Sequence, residues 1–206
     1  MLTVINHPVI NNKLSLIRDK NTSNREFRAL IEEVATILCY EATKDLKVID
    51  RTVETPVEIT ETEVVYDKIG VVTILRAGMG MLNGIYNFMP FAKVGHIGIF
   101  RDPNTLQPIQ YYCKLPIDSQ DRIILLLDPM LATGGTASTA IKLLKNAGVK
   151  RIKLLNIISA PEGVSKIEKE YSDVEIYSAA LDKGLNSHGY ITPGLGDAGD
   201  RIYGTK

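Results

Sequence analysis

A chain of 206 residues, 45% apolar and 23% charged, is long enough to fold as one domain around its own core, without disulfide or metal staples. Its 24 basic residues balance 24 acidic ones and no long stretch is strongly basic, which argues against a protein held mainly by nucleic-acid phosphates but leaves room for a local anion site. Cys39 and Cys113 stand far apart and outside any C-x-x-C pair, so a disulfide framework or zinc site is not expected and a reduced, cytoplasmic setting is. The opening residues lack the basic-then-apolar order of a signal peptide. Residues 79–100 carry Asn83, Asn87, Pro90, Lys93 and His96, too polar a set for a membrane helix.

The first strong element is a helix over 24–46, where Phe27, Leu30, Ile31, Val34, Ile37 and Leu38 recur at helical spacing. Ser23 followed three residues later by Glu26 is a capping-box pattern. Residues 48–66 alternate Val53, Val57 and Ile59 with Thr and Glu around Pro56, and read as an exposed β-arm because proline rarely sits in a central strand. Strands are then predicted at 71–75, 94–100, 109–115, 123–127, 152–158 and 174–180. Helices are predicted at 81–89, 136–147 and 161–171. Continuous apolar strands separated by helices indicate an α/β protein whose mainly parallel sheet is covered on both faces, with binding at the carboxyl ends of the strands. Residues 186–206 are glycine-rich and too long for an idle loop, which points to function.

The most informative stretch runs from the apolar strand 123–127 through Asp128 to Thr133, Gly134, Gly135 and Thr136, where a helix begins. A helix N-terminus offers unpaired N–H groups and a partial positive charge, glycines let backbone approach an anion, and the threonines add hydroxyl donors. A Walker loop would need a lysine that is absent here. The Gly78, Gly80, Gly84 series places its third glycine one position late for a dinucleotide loop. An acidic residue just before a phosphate loop suits a sugar phosphate, with hydroxyls on the carboxylate and the 5′-phosphate in the loop.

The run DPMLATGGT, from Asp128 to Thr136, resembles the phosphoribosyl-diphosphate motif of type I phosphoribosyltransferases. Most members carry two adjacent acids before the loop. Here Asp128 is followed by Pro129, the habit of the uracil-specific branch. The likeness continues in order through His7 and Pro8, residues 16–22, 40–43, 74–80 and 94–98, Tyr111 and Tyr112, residues 160–163 and the segment 189–201.

The resemblance implies a single domain, 1–206, of the type I phosphoribosyltransferase fold, with a C-terminal hood and the β-arm. It implies transfer of the phosphoribosyl group from 5-phosphoribosyl 1-diphosphate to N1 of uracil. Arg76, Arg101, Asp128 and Asp197 are expected to be catalytic. The sugar diphosphate should also touch Pro129, Met130, Leu131, Ala132, Thr133, Gly134, Gly135 and Thr136. Tyr190, Ile191, Gly196, Asp197 and Ala198 should surround uracil, with small residues such as Gly194 and Gly199 letting main chain approach the ring. Residues 102–110, after Arg101, are expected to close as a lid.

Mg²⁺ is the implied cofactor, carried mainly by the diphosphate and water rather than by a protein metal site. A homodimer, or a multiple of one, and GTP as an effector, as in some relatives, are implied as well; no nucleic-acid or membrane partner is. The rivals are a phosphoribosyltransferase for another base and an RNA-binding pyrimidine regulator on the same scaffold. His7, His96 and His188 lack metal spacing and, like Cys113, read as structural.

Overall fold

The computed structural model describes residues 1–101 and 108–205, and of Arg101 only the backbone. The elements in chain order are β1 (Leu2–Val4), α1 (Pro8–Arg18), α2 (Asn24–Ala42), β2 (Val48–Glu54), β3 (Ile59–Val65) and β4 (Ile69–Leu75). A 3₁₀ turn, Ala77–Met81, leads into α3 (Leu82–Phe88), β5 (Lys93–Arg101), β6 (Pro108–Lys114), β7 (Ile123–Leu127) and β8 (Met130–Leu131). There follow α4 (Gly135–Asn146), β9 (Arg151–Ser159), α5 (Pro161–Glu170), β10 (Glu175–Leu181), β11 (Gly184–Leu185), β12 (Ile191–Thr192) and α6 (Ala198–Tyr203).

The main sheet runs β1-β10-β9-β7-β4-β5-β6, with β8 added to β9. Its pairs are parallel except β5 with β6, which are antiparallel. The chain leaves β4 toward one edge through β5 and β6, then returns to β7 and moves to the other edge. The switch point therefore falls between β4 and β7, where an open α/β sheet offers its binding crevice. Each face of the sheet buries its own core. Val71, Leu125 and Leu127 pack with α1, α2 and α6 on one face. Val72, Ile74, Leu126 and Leu154 pack under α4 and α5 on the other. This is why β7 reads as five unbroken apolar residues.

The arm is a separate two-stranded hairpin, with Val48 opposite Val65 and Glu54 opposite Ile59. Pro56 sits in its turn, not inside a strand. The expected helix over 24–46 ends at Ala42, where Thr43 turns its hydroxyl back onto the Cys39 carbonyl (2.8 Å). Its start is as expected: Ser23 Oγ accepts from the Glu26 N–H (3.3 Å).

The two-residue strands β8, β11 and β12, together with β1, α1 and α6, have too little pattern to be legible in sequence. β1 is a three-residue edge strand. α1 buries only Ile10, Leu14 and Ile17 and opens on a His7 cap, whose Nδ1 accepts from Val9 (3.2 Å). α6 has only six residues, inside the stretch expected to be irregular. Of the lid expected at 102–110, residues 102–107 lie outside the described residues and the rest open β6.

Candidate active site

The loop after β7 is anchored on β9. Asp128 donates its N–H to Leu155 (3.2 Å), and Asn156 Nδ2 donates to the Asp128 carbonyl (2.6 Å). The Pro129 carbonyl accepts from both Ile157 and Ile158 (2.9 and 3.1 Å). Gly134 then takes φ +78°, and a Cβ there would lie 3.0 Å from the Gly163 carbonyl oxygen. Glycine is thus required by conformation and by space. Gly135 differs: a Cβ would meet only Thr133 Oγ1, at 3.7 Å, so this glycine leaves open room beside the loop. Gly134 caps α4 with no side-chain hydrogen bond, and the first turn of α4 holds no acidic residue. The first turn therefore adds no acidic side chain to the partial positive charge of the helix start, and Thr133 Oγ1 accepts from the Gly135 N–H (3.4 Å). Asp128, Met130, Ala132, Gly134 and Thr136 enclose a hollow of about 30 Å³ there.

Beside this hollow opens a cleft of about 410 Å³, onto which Arg76, Asp128, Thr136, Tyr190, Ile191 and Asp197 all face. Arg76 follows β4 across a cis peptide bond from Leu75. Its carbonyl accepts from the Tyr203 hydroxyl (3.0 Å), while its guanidinium lies 3.6 Å from Asp200 and 5.9 Å over the Tyr203 ring. Met130, Ala132 and Gly196 also line the cleft. Pro129 and Ala198 are buried behind its walls.

The far wall is built by the chain folding onto itself. Gly194, at φ +68°, comes so close to Ile191 that a Cβ would sit 2.1 Å from the Ile191 carbonyl oxygen. Gly196, at φ +82°, turns the chain into Asp197, which caps α6 by accepting from the Asp200 N–H (2.9 Å). His188 and Gly189 join this wall, so His188, read from sequence as structural, lines the cleft. The other two histidines are structural. His7 caps α1, and His96 Nδ1 lies 2.7 Å from Thr73 Oγ1. Cys113 is exposed on β6, while burial pushes the Cys39 thiol up to about 12.

Sequence spacing gives no hint of what braces this wall. Arg18, at the end of α1, donates to Asp182 and to the Gly194 carbonyl (both 2.8 Å). Asp182, buried, also accepts from the Gly194 N–H (2.9 Å). Arg201 donates to the carbonyls of Leu195 (2.8 Å), Asp19 (2.6 Å) and Ile17, with its guanidinium 4.2 Å over the Phe27 ring. Arg18 belongs to the quoted stretch 16–22, but nothing local ties position 18 to 182 and 194.

Among the described residues no group of three or more His, Cys, Asp or Glu is placed to hold a metal ion. No helix among them is long and apolar enough to cross a membrane.

The family model for uracil phosphoribosyltransferase matches residues 4–205. Proteins named uracil phosphoribosyltransferase in Finegoldia magna and Bacillus cytotoxicus are 56% and 55% identical over 206 residues, covering 100% of this chain and 99% of each relative. Among solved structures, the AQ2163 protein from Aquifex aeolicus has a TM-score of 0.94 at 39% identity, covering 98% of both chains. A hypoxanthine-guanine phosphoribosyltransferase from Bacillus anthracis has a TM-score of 0.52 at 8% identity over 77% of this chain and 80% of its own, a likeness of fold alone. The chain belongs to the uracil phosphoribosyltransferase family.

Proposed function

We propose that the cleft transfers the phosphoribosyl group of 5-phosphoribosyl 1-diphosphate to N1 of uracil, yielding UMP and diphosphate in pyrimidine salvage. One observation carries this reading above the others. A helix start behind Asp128, with no acidic residue in its first turn, and a glycine-turned backbone wall at Ile191 and Gly196 face one cleft. The first suits a sugar phosphate and the second a planar base.

The attacking atom is uracil N1, so no protein nucleophile is needed. The bond from C1′ to the diphosphate oxygen breaks with its electron pair leaving on the diphosphate, the N1–C1′ bond forms, and N1 gives up its proton. The ribosyl centre gains oxocarbenium character on the way, as in glycoside cleavage. The protein's part is positioning and electrostatics. The start of α4 with Thr133, Gly134, Gly135 and Thr136 receives the 5′-phosphate. Asp128 holds the ribose hydroxyls. Arg76 and Arg101 bind the departing diphosphate, for which bidentate guanidinium forks are well suited.

Asp128 and Asp197 put two hard oxygen donors on the cleft, a sparse set that fits a Mg²⁺ bound largely by substrate and water. When bound, that ion neutralises charge on the leaving group. Uracil lies against the backbone of Ile191 and residues 196–198, with Tyr190 as a side wall. Fixed N–H and C=O groups there exclude cytosine by leaving donors facing donors.

The same reading includes a cytoplasmic homodimer, or a multiple of one. The arm, with Val57 and Ile59 exposed, is the natural contact between copies. It also includes GTP as an effector, which adding GTP to the assay below checks. The decisive assay mixes protein, Mg²⁺, 5-phosphoribosyl 1-diphosphate and uracil and measures UMP, with cytosine and hypoxanthine in parallel. UMP from uracil alone supports the assignment. Preferred use of hypoxanthine, or salt-sensitive RNA binding without turnover, overturns it.

A further inference from the structure

We infer that Arg18 and Asp182 are the positioning pair for the base, so that uracil recognition depends on an ion pair outside the cleft. The inference rests on the base site proposed above and asks what holds that site still. A wall that selects a base through backbone groups must be fixed to a fraction of an ångström, because hydrogen bonds weaken steeply with misalignment. The wall's own sequence gives it little stiffness. Gly194 and Gly196 are conformationally permissive, and β12 pairs with β11 over only two positions.

The stiffness comes from elsewhere. Asp182 sits just past the end of β10, where its N–H donates to the Ser159 carbonyl (2.8 Å), so its backbone is fixed to the sheet. Its side chain is 4% exposed. One carboxylate oxygen takes the Gly194 N–H, and Arg18 takes the Gly194 carbonyl. Both backbone groups of one glycine are thus gripped by one ion pair. That pair is itself the two-pronged guanidinium–carboxylate kind, the strongest and most directional of its class. On the next residue, Arg201 holds the Leu195 carbonyl and returns to Ile17 and Asp19, again at the end of α1. The end of α1 is therefore the abutment on which the base wall rests.

The phosphate loop shares β9 with the Asp182 backbone, since Leu131 pairs with Ser159, but it hangs from main chain rather than from the ion pair. Asp128 and Pro129 hang from β9 through Leu155, Asn156, Ile157 and Ile158, and none of those bonds passes through Arg18 or Asp182. An ion pair whose side chains grip Gly194 predicts separable defects. A looser Gly194 should weaken uracil binding and its discrimination from cytosine while leaving the sugar diphosphate site nearly intact.

The test compares wild type, Arg18→Lys and Asp182→Asn by steady-state kinetics with each substrate varied in turn, cytosine as competitor, and melting temperature alongside. Lysine keeps the charge but cannot make the fork. The expected result is a rise in the uracil KM of about tenfold with a smaller gap between uracil and cytosine affinities. The KM for 5-phosphoribosyl 1-diphosphate should change less than about twofold, because the side chains of the Arg18–Asp182 pair hold each other and Gly194. Parallel rises in both KM values, or a lower melting temperature with an unchanged uracil KM, overturn the inference. If Asp182→Asn does not fold, Arg18→Lys decides alone, since its side chain lies at a helix end and is partly exposed. A failure of the base assignment itself shows separately, as wild-type protein that forms no UMP.

Discussion

The guanidinium of Arg76 stands 3.6 Å from the carboxylate of Asp200, yet 58% of the Arg76 side chain remains exposed. A pair so open to solvent contributes only about 0–1 kcal/mol to stability. Its position at the mouth of the cleft makes Arg76 available to a ligand carrying more charge than Asp200 does. Replacing it with alanine should therefore leave the melting temperature almost unchanged while lowering kcat/KM by roughly 10²–10³. Lysine should recover part of that loss, since it supplies charge without the fork. Steady-state kinetics beside thermal unfolding separates the two effects, and a parallel loss of stability would mean that Arg76 is structural.

Asp128 and Thr136 both face the cleft, but different roles are expected of them. Asp128→Asn should reduce turnover more than Thr136→Ala, because in the proposed function the carboxylate meets the reacting sugar whereas Thr136 is one of several donors around the phosphate. Single-turnover measurements at saturating substrate make the comparison directly. Equal losses in the two variants would contradict this division of labour.

The two loop glycines make a sharper pair. Gly134→Ala forces a side chain into φ +78° and brings a Cβ within 3.0 Å of the Gly163 carbonyl oxygen. The left-handed backbone alone costs roughly 1–2 kcal/mol. Gly135→Ala has room in the protein and should leave stability near the wild-type value. If the space beside it belongs to a bound phosphate, both variants should bind 5-phosphoribosyl 1-diphosphate more weakly, but only the first should melt lower. Calorimetric titration and a melting curve on each protein decide this.

Acid should weaken the far end of the molecule from the cleft. Lys153 is buried, its ammonium donating to the Ala42 carbonyl (2.7 Å) and to Asp45. Burial alone would push the Asp45 carboxyl up; the hydrogen bond and charge of Lys153, helped by Arg151, outweigh it and hold the group below its ordinary 3.8. A carboxylate whose folded-state value is depressed adds stability that is complete above the unfolded value and is lost as pH falls through the folded one. Unfolding free energy in the wild type should thus decline as pH drops below about 4. Asp45→Asn should flatten that decline, which urea titrations across pH 2–7 would show. An identical slope in the variant would mean that Asp45 gains nothing from Lys153.

Much of the fold was legible in residues 69–181, because the buried strands there are mainly apolar, α4 is followed by Gly148 and α5 opens on Pro161. Ile123–Leu127 coincides with β7 to the residue. The phosphate loop was equally plain, since Asp128, the glycines and the helix start are contiguous. The base wall was found through family likeness rather than periodicity, and its six-residue helix was missed for want of a full apolar face. Arg18, Asp182 and Arg201 could not be singled out, because the contacts that tie Asp182, Gly194 and Arg201 to the end of α1 join positions more than 160 residues apart and depend on the sheet already being formed.

In the proposed function one cleft holds a phosphate at the start of α4 and a pyrimidine against residues 191–198. A crystal structure of the protein with UMP tests it most directly. The account predicts the 5′-phosphate on the N–H groups around Gly134 and Gly135, the ribose hydroxyls on Asp128, and the uracil edge paired with main chain at Ile191 and Gly196. UMP bound elsewhere, or in the cleft with its base on the α4 side and its phosphate on the glycine wall, would contradict it.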